Sequence, residues 1–521
     1  MIRPILRPGR TCAAVFPAAR GGLLVDGRDY YRALYRAATS ARRHILLAGW
    51  QFDSRVQLLR GAEAEAAPYP VELLPFLNAL CEERPALRVY ILAWDHSLLF
   101  SFEREPLALF KLRTHAQVQV CADAVHPIGA SHHQKFVVID RSVAFVGSLD
   151  VCCHRWDDRQ HRAHNPLRAD TLTGPYPPYH DIQGHIAGPA VDTLIAWFCR
   201  RWQRASGAPL ELPPAPRARL DLPSSIPLRA PRVGLARTLP PLREPAVAPV
   251  YELRDLHLAA IAAARRCIYI ENQYLSSEAV FLALLRRFAG RGRPPLEVVF
   301  MLPRRTDALK ERLAMGIRQD HLLDELAAAA RRGGHQFGAY CTVAPAEGEV
   351  PATQVYVHAK LVAVDDRFLL VTSANTTNRS MGLDTELGLA WESPHPDPSI
   401  RRARVSLLRE HTGLSGPEAQ RLFAPLTGLV RRLDALVAAR RGRLRRHPRE
   451  EGPARGDLLG KLLPDDMAVD PGSPIVEESL GRALEADDGE SLLDRLSAAW
   501  RHFKTGVDPL YDHALKASRD E

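Results

Sequence analysis

A chain of 521 residues, 46% hydrophobic and 25% charged, is too long for one ordinary core and too apolar for a disordered polymer, so fused globular units follow. No apolar run approaches the ~20 residues that a membrane-spanning helix needs, and prolines and arginines interrupt the opening MIRPILRPGRTCAAVFPAARGG, a poor secretory signal, which predicts a cytoplasmic protein. The net charge of +9 favours a polyanionic partner, nucleic acid or anionic lipid, without choosing between them.

In chain order, AATSARRHILLAGWQF ends a helical pattern and enters an apolar strand, and LRVYILAWD, Leu87 to Asp95, is a second buried strand. The apolar stretch from His96 to Leu112 fits either the border of an acyl-chain entrance or a buried amphipathic helix. Next comes SHHQKFVVIDRSVAFVGSLD, Ser131 to Asp150: a histidine and a lysine two residues apart, an apolar run, an aspartate, a turn and a second strand. DIQGHIAGPAVDTLIAWFCRRW then gives a strand and an amphipathic helix with Pro189 near its first position. From Ala205 to Pro249 prolines are so frequent that neither helix nor central strand is expected.

The second half repeats the first. LAAIAAARRCIYIENQYL matches the first helix-to-strand pattern, LEVVFMLPR the second strand, and VHAKLVAVDDRFLLVTSAN, Val357 to Asn375, repeats the histidine–lysine segment position for position. Helices alternating with buried strands predict an α/β protein of two fused α/β/α sandwich repeats, a pseudo-dimer with mixed, mostly parallel sheets. The expected division is an N-terminal repeat at 1–204, a linker at 205–249, a C-terminal repeat at 250–430, and a basic helix end with an irregular tail at 431–521. A leucine-spaced helix (Leu422, Leu426, Leu429, Leu433, Leu436) is expected to run into the arginines ending at Arg446, where it would suit an anionic membrane surface. A short closing helix is expected around Ser491 to Lys504. The eight cysteines are scattered without metal-ligand spacing and read as buried thiols, so no metal and no cofactor is expected.

On a strand, residues two apart share a face, so His133 lies beside Lys135, and His358 beside Lys360. If the halves meet at these strands, two imidazoles and two ammonium groups surround one tetrahedral phosphodiester. The lysines then carry the transition-state charge that a metal would otherwise meet. Asp140 and Asp365, after the apolar runs, fit a role in tying down turns or backbone donors. Ser148, Asp150, Ser373 and Asn375 are small polar groups able to line the phosphate pocket. A single H-x-K would be weak; lysine is scarce here, and its recurrence at one offset from histidine points to function.

These residues make the chain resemble the phospholipase D superfamily, whose signature is H-x-K-x4-D followed by x6-G-S-x-N. It stands as His133, Lys135, Asp140, Gly147, Ser148 and again as His358, Lys360, Asp365, Ser373, Asn375. DVCCHRWDD, YHDIQGHIAGPAV, IYIENQYL and NRSMGLDTELG look like the eukaryotic-type branch, and the likeness covers most of the chain to about Val430. The resemblance implies a metal-independent two-step reaction through a phosphohistidine, with His133, Lys135, Asp140, His358, Lys360 and Asp365 as the catalytic motif set. It implies His133 as nucleophile and His358 as acid, or the reverse, with Asp157 and Glu386 orienting the imidazoles. Three departures stand out: Asp150 for asparagine, Thr372 for glycine, and His154 where glycine is frequent. The implied reaction hydrolyses or exchanges the headgroup phosphodiester of glycerophospholipids; a cardiolipin synthase-like phosphatidyltransferase, a nuclease and an inactive lipid-binding scaffold are the alternatives. The implied partners are a phospholipid and transiently an anionic membrane surface, at the inner face, with nucleic acid less favoured and the chain a monomer.

Overall fold

The computed structural model describes residues 3–17, 20–95, 110–111, 113–127, 129–171, 173–222, 225–242, 246–290, 292–305, 317–448 and Asp470. The apolar stretch after Asp95 and the expected closing helix lie outside the described residues, except for 110–111.

Two large sheets carry the molecule, and their strand orders repeat. The first runs Gly21–Val25, Ile182–Ile186, Val143–Gly147, Phe136–Ile139, His44–Gly49, Arg88–Trp94, Val118–Asp123. The second runs Arg232–Leu239, Glu386–Glu392, Phe368–Thr372, Leu361–Val364, Cys267–Glu271, Glu297–Met301, Gln336–Ala344. In each, the last three strands are parallel, and the helices Leu73–Glu83, Glu278–Ala289 and Ile317–Arg332 lie in the described connections between them. Most of the other pairings are antiparallel, so the sheets are mixed but not mostly parallel as expected. The reason is local: each motif strand returns through a turn of a few residues, and a connection that short can only join antiparallel strands.

The proline-rich segment also departs from expectation. Its prolines leave Arg232–Leu239 free, between Pro231 and Pro240. That stretch forms a strand paired on both sides, with Ala14–Pro17 and with Glu386–Glu392. By position it is the counterpart of Gly21–Val25, the first strand of the second repeat. Ile226–Leu228 adds to the first sheet beside Gly21–Val25.

The expected long C-terminal helix is two shorter ones, Gly416–Phe423 and Leu429–Ala438, broken at Pro425 and at Gly428, whose φ of 76° is left-handed. The arginine-rich end then becomes a strand, Leu444–Arg446, on Tyr340–Thr342.

The sheets face each other across one apolar layer containing Val138, Val146, Phe198, Leu389, Trp391 and Leu433. They approach closely: a Cβ on Gly184 would lie 3.2 Å from Leu389 Cδ2 and Trp391 Cη2. The helices Asp26–Thr39 and Leu73–Glu83 cover the outer face of the first sheet, and Glu252–Ala263, Glu278–Ala289 and Ile317–Arg332 that of the second. This stacking brings the open ends of the two motif hairpins, where His133 and His358 precede their strands, against the opposite half.

Candidate active site

Each motif hairpin is fastened by its aspartate. Asp140 turns with φ 48° and accepts from the amides of Arg42, Arg43 and His44, each at 2.9 Å. Asp365 turns with φ 54° and accepts from Arg265, Arg266 and Cys267 at 2.7–2.8 Å. The two clamps are equivalent, and both lie at the far end of their strands from the histidines. They anchor the hairpin to the neighbouring strand.

The histidines are braced across the molecule. His133 Nδ1 lies 3.0 Å from Glu386 of the second half. His358 Nδ1 lies 2.7 Å from Asp181 of the first. Each carboxylate receives the hydroxyl of the serine that ends a motif hairpin: Ser148 donates to Asp181, and Ser373 to Glu386. Backbone bonds lock the exchange, from the His133 amide to the Thr385 carbonyl and from the His358 amide to that of His180. With Nδ1 held, Nε2 of each ring is the atom left for chemistry.

Several expected positions therefore shift. Asp157 does not touch His358; it holds His161 at 2.9 Å, Arg168 at 3.0 Å and the Tyr179 amide at 2.9 Å. Asp181 takes the expected place, because it enters the strand Ile182–Ile186 as Glu386 enters its own: Ser148 N bonds the Ile182 carbonyl just as Ser373 N bonds that of Leu387. Ser148 and Ser373 are turned onto those carboxylates instead of a phosphate pocket. Asp150 accepts from Trp50 N at 3.0 Å and pairs with the Lys135 ammonium at 3.0 Å. A carboxylate there cannot donate to phosphate. Asn375 keeps an enclosed side-chain oxygen with no partner among the described residues.

The lysines differ in consequence. Lys135 has Asp150, while Lys360 has no carboxylate in contact among the described residues and is fully enclosed, donating to the His358 carbonyl at 2.7 Å, with Gln273 Oε1 at 3.3 Å and His358 Nε2 at 3.0 Å. Burial, and then the charge of Lys135, push Lys360 down to about 7 against the pull of Asp181, Glu386 and Asp150. Burial and Lys360 hold His358 down at about 3. Burial works against ionising Asp181, but His358, Lys360 and the Ser148 hydroxyl outweigh it and set Asp181 at about 2. Lys360 senses the charges of Lys135, Asp150 and Asp181 from the first half, so the second motif's ammonium faces the first half's charged groups.

Behind this space lies a set that spacing along the sequence did not disclose. Asp26, His161, His180 and Glu410 converge, fully buried, with atoms within 4.8 Å of one another. The outer nitrogens of the two rings bond Asp157 and Glu271. Two imidazolium protons or one divalent cation would balance these carboxylates equally well. The set joins both halves, and His180 links it directly to Asp181.

Two family models match the chain: Phospholipase D over residues 37–224, and Cardiolipin synthase, PLD-like domain over residues 258–404. The chain belongs to the phospholipase D superfamily. Phospholipase D A of Dictyostelium discoideum is 26% identical over 71% of this chain and 32% of its own length. Phospholipase D alpha 1 of Nicotiana tabacum is 23% identical over 76% of this chain and 65% of its own. The chain thus spans less than two thirds of either relative. Phosphatidylserine synthase of Haemophilus influenzae shares the fold, with a TM-score of 0.50 at 14% identity over 81% of this chain and 95% of that one. One copy of the motif falls inside each matched region.

Proposed function

We propose that the chain is a phospholipase D-type phosphodiesterase that transfers the phosphatidyl group of a glycerophospholipid to water or an alcohol. The observation that carries this reading is the reciprocal bracing of His133 by Glu386 and of His358 by Asp181 beside the Lys360 ammonium, which senses that of Lys135. His133 Nε2 attacks phosphorus, the headgroup alcohol leaves with a proton from His358, and the acceptor then returns that proton to His358 as it displaces the phosphohistidine. A free site holds His358 neutral, but an entering phosphodiester anion offsets Lys360 and lets the ring take its proton. Asp140 and Asp365 act through the hairpins they clamp.

Substrate would come from a membrane surface, which the positive net charge favours when the lipid is anionic. Among the described residues no helix is long and apolar enough to cross a membrane. The match of the second half to a cardiolipin synthase domain supports a second reading, in which the acceptor is a lipid alcohol.

Incubating the full chain with phosphatidylcholine or phosphatidylglycerol vesicles, with and without ethanol, tests both. Phosphatidylethanol formation that disappears in His133→Ala and His358→Ala is the expected result. Cardiolipin from phosphatidylglycerol would favour the second reading, and no lipid product under any condition would refute both.

A further inference from the structure

Of the buried arginines among the described residues, Arg287 binds only the carbonyls of Ala264 and Pro294, whereas others meet carboxylates: Arg60 pairs with Asp170, Arg168 with Asp157, Arg201 with Asp123 and Arg404 with Asp366. Arg155 does not. Its Nη1 reaches only the carbonyl of His154, at 3.4 Å, and its Nε is enclosed without a partner. Its guanidinium instead stands on the ring of Tyr179, 4.9 Å from the centroid. No carboxylate lies within ion-pairing distance of it among the described residues. A half-buried cation whose Nε is shut off from water without a partner leaves its charge open to an incoming anion.

Arg155 stands at the wall of the active site. The Tyr179 ring is 5.4 Å from that of His358, and the charge of Arg155 reaches both His358 and Asp150. The charges around the reacting space explain why a further cation belongs there. Asp150, Asp181 and Glu386 outnumber Lys135 and Lys360, so with neutral imidazoles those groups alone leave the pocket net negative. A phosphodiester anion would be repelled. The surplus traces to Asp150, which stands where the general motif has an uncharged asparagine.

We propose that Arg155 is a third phosphate-binding cation of this site, carried on the face of Tyr179, offsetting the charge that Asp150 adds and directing its guanidinium fork at non-bridging phosphate oxygens. Arginine suits the task because it stays charged at every working pH and presents two parallel donors. The substrate's identity rests on the phosphodiesterase reading; the charge balance does not.

The test is calorimetric titration of the full chain with inorganic phosphate. Arg155→Gln is expected to weaken binding about tenfold or more, the scale of a lost charge-assisted contact. Adding Asp150→Asn to that variant is expected to bring affinity back to within about threefold of the parent, by removing the surplus negative charge. Should Arg155→Gln not fold, Arg155→Lys, which keeps the charge but not the fork, is expected to bind phosphate more weakly than the parent. Unchanged phosphate affinity in a folded Arg155 variant, or no recovery in the double variant, overturns the proposal. Absence of lipid turnover in every protein would defeat the phosphodiesterase reading alone, since phosphate titration reads Arg155 without it.

Discussion

A departing alcohol needs a proton only when it is a poor leaving group, and that requirement separates the two histidines. With phosphatidylcholine, His358→Ala should lose about 10²- to 10⁴-fold in kcat, the usual worth of a general acid. With p-nitrophenyl phosphocholine, whose phenolate leaves unaided, the same variant should retain most of its first turnover. His133→Ala should be inactive on both, because no phosphohistidine forms. The opposite pattern in a burst assay would exchange the roles. Lys360 adds a pH dependence. It is held down at about 7, so it is cationic below that pH and neutral above it. The value of kcat/KM, which reports the free enzyme, should therefore fall as pH rises through about 7. Lys360→Arg, which cannot lose its charge in this range, should remove that limb from the profile even as it lowers the plateau.

At the scale of elements, the two aspartate clamps make the motif hairpins rigid. Each carboxylate satisfies three backbone amides, of Arg42, Arg43 and His44 in one case and of Arg265, Arg266 and Cys267 in the other. Asp140→Ala or Asp365→Ala strands those donors and puts a β-carbon without local hydrogen bonding at positive φ, so each should cost at least ~3 kcal/mol in denaturant unfolding. Asparagine tolerates that backbone and keeps one acceptor, so Asp140→Asn should lose about half as much. The repeat makes these clamps legible, because a histidine, a lysine and an aspartate at fixed offsets imply strand, turn and strand, whereas Glu386 is implied by the family resemblance alone. Asp181 is hidden by unequal spacing, since 30 residues separate it from Asp150 and only 10 separate Glu386 from Asn375. One strand further, Asp181-Ile182 aligns with Glu386-Leu387, and symmetry would have replaced Asp157. The strand Arg232–Leu239 is obscured for a different reason: its 8 proline-free residues sit inside a segment whose overall proline density is that of a linker. The buried set of Asp26, His161, His180 and Glu410 has no local signature at all, since its members come from four distant stretches.

The whole molecule is less divided than a two-repeat sequence suggests, because each half contributes structure to the other. Ala14–Pro17, from the start of the chain, lies in the second sheet beside Arg232–Leu239, and Tyr179–His180 extends the same sheet along Thr353–Val357. Each imidazole depends on a carboxylate from the opposite half, and the apolar layer between the sheets is continuous from Val138 and Phe198 to Leu389 and Trp391. Separate unfolding of one repeat would expose that layer and break both cross-braces at once. Scanning calorimetry at neutral pH should therefore show one transition for the two sheets, with calorimetric and van't Hoff enthalpies equal. Trp391 is fully buried at the contact between sheets. Trp391→Ala should lower that single transition by the ~3–5 kcal/mol typical of a large aromatic truncation, not split it. Two resolved transitions, or a Trp391→Ala trace in which only one part of the enthalpy moves, would mean that the repeats fold independently and that the active site is assembled by docking after folding.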